Sequence, residues 1–96
     1  MILDLNSVLV IVDEHSRKAA ESDYDRGVAI RAVSVVRKSI NDVFKEVGEI
    51  ASKGKVIDVL ELLKKDYNDT DGQYTNGKGV IGSVIDDIRM MRNEGC

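Results

Sequence analysis

The apolar residues Ala29, Val33, Val36, Ile40, Val43, Val47 and Ile50 recur at steps of four, three, four, three, four and three. This is the seam of a long α-helix that needs a second helical surface along its length. Carried outward, the period predicts one helix from about Tyr24 to Ser52, opened by Ser22 or Asp23 and stopped by Gly54 as a left-handed cap. Gly27 and Gly48 lie near its ends, where a close crossing or a bend is accommodated. About 29 residues at 1.5 Å each span about 43 Å. A compact chain of 96 residues is only roughly 30–35 Å wide. The chain has no proline to break the rod, so the rod is expected to overhang a monomer and to be covered by a second copy.

The other helices follow from the same period. Asp4 is placed to cap a first helix whose inward positions are Leu5, Val8, Leu9, Val12, His15 and Ala19. Val8 to Val12 has the composition of a strand, but the charged segment Asp13 to Glu21 carries the helical period onward without a turn signal. A third helix is expected from Val56 to about Tyr67, with Val56, Val59, Leu60 and Leu63 inward. A fourth is expected from about Lys78 to Arg92, with Ile81, Val84, Ile85, Ile88 and Met91 inward. The run Asn68 to Gln73 is the one polar loop. Aromatics make up 4% of the chain, so the core must be aliphatic. The expected fold is therefore all-α: a three- to four-helix antiparallel bundle with one long spine, a single domain over residues 1–96, completed by homo-oligomerisation. Val33, Val36, Ile40, Val43, Val47 and Ile50 are its expected interface or core.

Charge narrows the partners. A formal charge of -3 gives no cationic surplus to neutralise a phosphate backbone, so nucleic acid is a disfavoured partner. It is also too small for a DNA mimic. Cys96 is the lone cysteine, so no intrachain disulfide forms, in keeping with a reducing cytoplasm. Met1-Ile2-Leu3 is followed at once by Asp4, too short an apolar stretch for a signal peptide. No apolar run reaches the length of a membrane span. A cytoplasmic protein is the expectation.

One segment invites a ligand. Gly72-Gln73-Tyr74-Thr75-Asn76-Gly77-Lys78-Gly79 spells G-x-x-x-x-G-K, which resembles the phosphate-binding P-loop over these eight residues. Gly79 stands where that motif has a Mg²⁺-holding hydroxyl, no apolar strand precedes it, and the chain is too short for the sheet of such NTPases. What remains is a glycine-rich turn feeding a helix N-terminus, with Lys78 for charge and Tyr74 for stacking on a base. Tyr24-Asp25-Arg26-Gly27 echoes Tyr74-Thr75-Asn76-Gly77. Each opens a Val/Ile-rich helix with a tyrosine and a nearby base. The candidate ligand residues are therefore Tyr74, Asn76, Gly77, Lys78, Gly79, Tyr24 and Arg26. A tyrosine packed beside glycine at a close helix approach accounts for the echo equally.

Metal and catalytic chemistry find less. Aligned on Gly72, Asp69 and Asp71 fall on calcium-loop positions of an EF-hand, but Tyr67 and Lys78 occupy the two ends where acids belong. Glu46 and Glu49 precede the Gly54 turn, and Asp58 and Glu61 follow it. This spacing distantly resembles the Mg²⁺ cluster of the MazG-like nucleotide pyrophosphohydrolases, which implies an alternative as a Mg²⁺-dependent enzyme. Lys45 occupies the place of that family's additional acid, and the second pair runs in the reverse order. His15 is expected to be a partly buried structural residue, and Cys96 has no neighbouring base. Met90 and Met91 fit core and rim, and Arg31, Arg37 and Lys38 fit a solvated face before an anion patch. No cofactor, metal ligand or catalytic residue is expected.

The function expected is a non-enzymatic binding or regulatory module acting as a homo-oligomer. Its partner would be a protein or a small phosphate-bearing ligand. In style, small helical chains of this kind resemble phage accessory proteins, among them inhibitors that sequester a nucleotide signal of host defence.

Overall fold

Three polar side chains decide where three of the helices begin. In the computed structural model, which describes residues 2–22, 25–48, 50–67 and 76–91, Asp4 accepts a hydrogen bond from the Ser7 backbone at 3.2 Å. Ser52 Oγ accepts from the Lys55 backbone at 3.1 Å, and Asn76 Oδ1 from the Gly79 backbone at 2.6 Å. Each satisfies a first-turn N–H that the helix itself cannot. The elements in order are β1 (Ile2–Asp4), α1 (Leu5–Glu21), α2 (Arg26–Val47), β2 (Ile50–Ser52), α3 (Lys53–Asp66) and α4 (Gly77–Arg89). The all-α expectation holds, with four helices and one small sheet as its only β-structure among the described residues.

The predicted spine is shorter than expected. It ends at Val47 because Gly48 takes φ 93°, a conformation that side-chain-bearing residues rarely adopt. Gly54, the expected stop, instead lies in the first turn of α3, which Ser52 opens. The segment between is extended: Ile50 faces out, Ala51 in and Ser52 out. It pairs antiparallel with β1 in the register Ile2↔Ser52, Leu3↔Ala51, Asp4↔Ile50. Leu3 and Ala51 point to the core, which anchors a pair of strands too short to persist alone. The apolar period ran on through Val47 and Ile50, but these residues are 43% and 59% exposed.

The cover of the seam also differs from expectation. Ala29, Val33, Val36, Ile40 and Val43 are buried within one copy, together with Ala32 and Phe44. They share a core with Val8, Val12 and Ala19 of α1, Val56 and Leu60 of α3, and Ile81, Val84, Ile85 and Ile88 of α4. A 22-residue helix is about 33 Å long and fits within the 42 Å long axis of the molecule. The inward faces expected for α1, α3 and α4 are the faces the structure buries, with Leu5, Leu9, Val59, Leu63 and Met91 half-buried at the margin. No helix among the described residues is long and apolar enough to cross a membrane.

Polar contacts fasten the α3–α4 hairpin. Lys53 Nζ donates to the carbonyls of Arg89 and Met91, taking up acceptors left over at the C-terminus of α4. Arg89 Nη2 donates to Glu61 Oε1 at 2.6 Å. At the other end of α3, the Arg31 guanidinium of α2 lies 5.3 Å from the centre of the Tyr67 ring, within cation–π range.

Candidate functional site

Among the described residues, three helices wall an open cleft of about 470 Å³. On α1 it is lined by His15, Lys18 and Ala19, with Ser22 at the cap. These residues are spaced three, one and three apart, which sets them along one helical face. Val80, Ser83, Asp86 and Asp87 form the α4 wall at the same kind of spacing, and Ala29 comes from α2. A larger hollow beside Asp58, Glu61, Leu62 and Lys65 draws all its lining from α3 alone, so it is a helix surface without an opposing wall.

One side-chain contact spans the cleft from α1 to α4. His15 Nε2 lies 2.6 Å from Asp87 Oδ2 and joins α1 to α4. The imidazole is 11% exposed and the carboxylate 48%, so the pair presents mainly its acidic side to solvent. His15 is partly buried, as expected, with a partner that sequence reading missed. Ser83 Oγ donates back to the Gly79 carbonyl of its own helix at 3.1 Å. The Asp86 carboxylate lies 3.7 Å from the exposed Arg89 guanidinium.

Of the expected ligand residues, those among the described residues are not in the lining of the cleft. Gly77 is the buried first residue of α4, Lys78 is half-buried beside it, and Gly79 is exposed. Asn76 does not await a ligand, because its side chain already caps Gly79. A Cβ on Gly79 would meet that Asn76 oxygen at 2.9 Å, so this glycine makes room for the cap. Arg26 opens α2, and its Nε donates to the Ser22 carbonyl at 3.1 Å. Tyr24 and Tyr74 lie outside the described residues, as do Asp69, Asp71 and Gly72 of the calcium-like loop. The two echoed helix starts nevertheless lead to one place: Ala29, two residues past Gly27, and Val80, three past Gly77, line the same cleft.

The carboxylates of the MazG-like pattern have other surroundings. Glu61 is engaged with Arg89, Glu46 and Asp58 are exposed, and Glu49 is outside the described residues. Strand β2 separates the two helices that were expected to form a direct hairpin. Among the described residues no three His, Cys, Asp or Glu side chains gather as a metal-binding group. On the solvated face of α2, Arg37 pairs with Asp13 at 2.7 Å, while Arg31 covers Tyr67.

Sequence reading missed Lys18, Ser22, Ser83, Asp86 and Asp87. Their signal was present as polar residues at helical spacing beside an apolar face. What it lacked was the pairing of α1 with α4, since His15 and Asp87 are 72 residues apart. Compared with known protein families, with curated proteins and with solved structures, the chain finds a match in none of the three.

Proposed function

We propose that the protein is a non-enzymatic binding module that holds a small phosphate-bearing ligand in the cleft between α1, α2 and α4. The observation that supports this reading is a walled cleft of ligand size with Lys18 on one side and the first turns of two helices at its mouth. Helix N-termini carry partial positive charge, and ligand pockets of this kind commonly run from about 300 to 1,000 Å³. Lys18 and Ser22 lie along one wall.

A thermal-shift titration with inorganic phosphate and with nucleoside monophosphates tests the reading. Stabilisation that rises with concentration and disappears in Lys18→Ala is expected. Unchanged melting across the whole series overturns it.

Self-association is a second reading, and it rests on a different surface from the seam. Ile2 and Ile50 share the outer face of the small sheet and are both more than half exposed, with Val47 close by in sequence. Under this reading Ile50→Glu lowers the mass seen by light scattering or native mass spectrometry and leaves the fold intact. A wild-type monomer at all concentrations removes it.

A further inference from the structure

The outer face of α3 carries charges whose order complements itself when the helix is turned end for end. Lys55, Asp58, Leu62, Lys65 and Asp66 are all exposed. They fall within about 100° of one another around the helix, on the side opposite Val56 and Leu60, which enter the core. Leu62 is the apolar member and is 61% exposed. By helical spacing, Asp58 and Lys65 lie to one side of it, and Lys55 and Asp66 to the other. The hollow of about 500 Å³ beside Asp58, Leu62 and Lys65 has α3 as its only wall.

The four charges have no ion-pair partner among the described residues. Asp58 and Lys65 stand about 10 Å apart along the axis, and Lys55 and Asp66 roughly 16 Å, too far to pair within one helix. Against an antiparallel copy the order inverts. A two-fold axis at Leu62 brings Leu62 against the partner's Leu62, Asp58 toward the partner's Lys65, and Lys55 toward the partner's Asp66. The midpoints of both charged pairs fall within two residues of Leu62, about 3 Å, so one axis serves all three contacts. A parallel copy opposes like with like. Glu61, at the edge of the stripe, is already neutralised by Arg89 at 2.6 Å.

We propose that the outer face of α3 docks a second copy of this chain, with the two α3 helices antiparallel and Leu62 at the centre. The face of one such helix buries less than the roughly 1,200 Å² of a stable interface. The dimer therefore forms at high protein concentration and weakens as salt screens its charges. This surface is separate from the cleft and from Ile2 and Ile50, so it stands or falls apart from both readings above.

Analytical ultracentrifugation of the full chain at low salt, up to about 1 mM, tests it. Wild type is expected to dimerise with rising concentration. Asp58→Lys and Lys65→Asp, both exposed changes, each oppose like charges across the axis and should raise the dimer dissociation constant about tenfold or more. Mixed together, the two variants oppose unlike charges again and should form a heterodimer of near wild-type affinity. A wild type that stays monomeric throughout overturns the proposal. So does a mixture no more associated than its components. A dimer lost in Ile50→Glu but unchanged in both charge variants places self-association at the sheet and overturns the α3 surface alone.

Discussion

The two ends of the molecule are built by different means. Where α1 starts and α2 stops, backbone closes the structure: β1 pairs with β2, and Lys53 takes up the last carbonyls of α4. Where α2 and α4 start, side chains line a space instead, and His15 of α1 meets Asp87 of α4 across it. The strand end has a hollow of about 200 Å³ beside Asp4, Leu5, Asn6 and Ile50, less than half the size of the cleft. Hydrogen-bonded backbone leaves few groups to face solvent, whereas the cleft is lined by short polar side chains. The contrast separates an end closed by strand pairing from an end with a lined concavity.

The largest effect expected is from charge in the shared core that joins the two ends. Val36→Asp buries an unpaired carboxylate at a fully enclosed position and should cost about 4 kcal/mol or more. Circular dichroism should then show loss of helix rather than a folded monomer released from an assembly. A folded Val36→Asp monomer would break the assignment of the seam to the intramolecular core. Next is Leu3→Ala, which removes the strand end's anchor and should cost about 2–4 kcal/mol in urea denaturation. A loss near zero would show that the sheet is ornamental to the fold.

Cap removal gives smaller and more discriminating numbers. Ser52→Ala and Asn76→Ala act at opposite ends, and each should cost about 1 kcal/mol. If the cleft is the binding site, only Asn76→Ala, which alters the first turn of α4 near the entrance, should also change ligand affinity in the titrations above. The smallest effect concerns pH. Hydrogen bonds from the Ser7 hydroxyl and backbone hold the Asp4 carboxyl below its ordinary value of 3.8. A carboxyl with a lowered folded-state pKa stabilises fully above its unfolded value and loses that stabilisation as pH falls through the folded one. Acid titrations of wild type and Asp4→Asn should therefore converge below the ordinary carboxylate range and separate slightly above it. Parallel curves throughout would show that the cap contributes no charge effect.

The helices were legible in the sequence because each carries its own apolar period. Val8 and Val12, Val56 and Leu60, and Ile81 to Ile88 are buried where spacing put them. Asp4 was legible as a cap because the chemistry is local. The stop at Gly48 was obscured because Val47 and Ile50 continue the period by chance while lying outside the core. A stripe also states only that something covers it. That α1, α3 and α4 supply the cover depends on contacts between distant segments, as does the pairing of β1 with β2. For the cleft, sequence reading identified helix starts that lead toward it, through Gly27 and Gly77. It missed the residues that give the cleft its polar lining, because Lys18 and Asp86 acquire that meaning only when α1 and α4 lie side by side.

The antiparallel clasp of residues 2–4 on 50–52 bears on the order in which the protein assembles. It turns the first half of the chain into a loop fastened at its root, with α1 and α2 as its two arms. Closing that loop early spends the entropy of one long-range encounter, after which the arms meet at short range. The last helix then docks onto a prepared surface, so amides of α4 should exchange with solvent before those of α2.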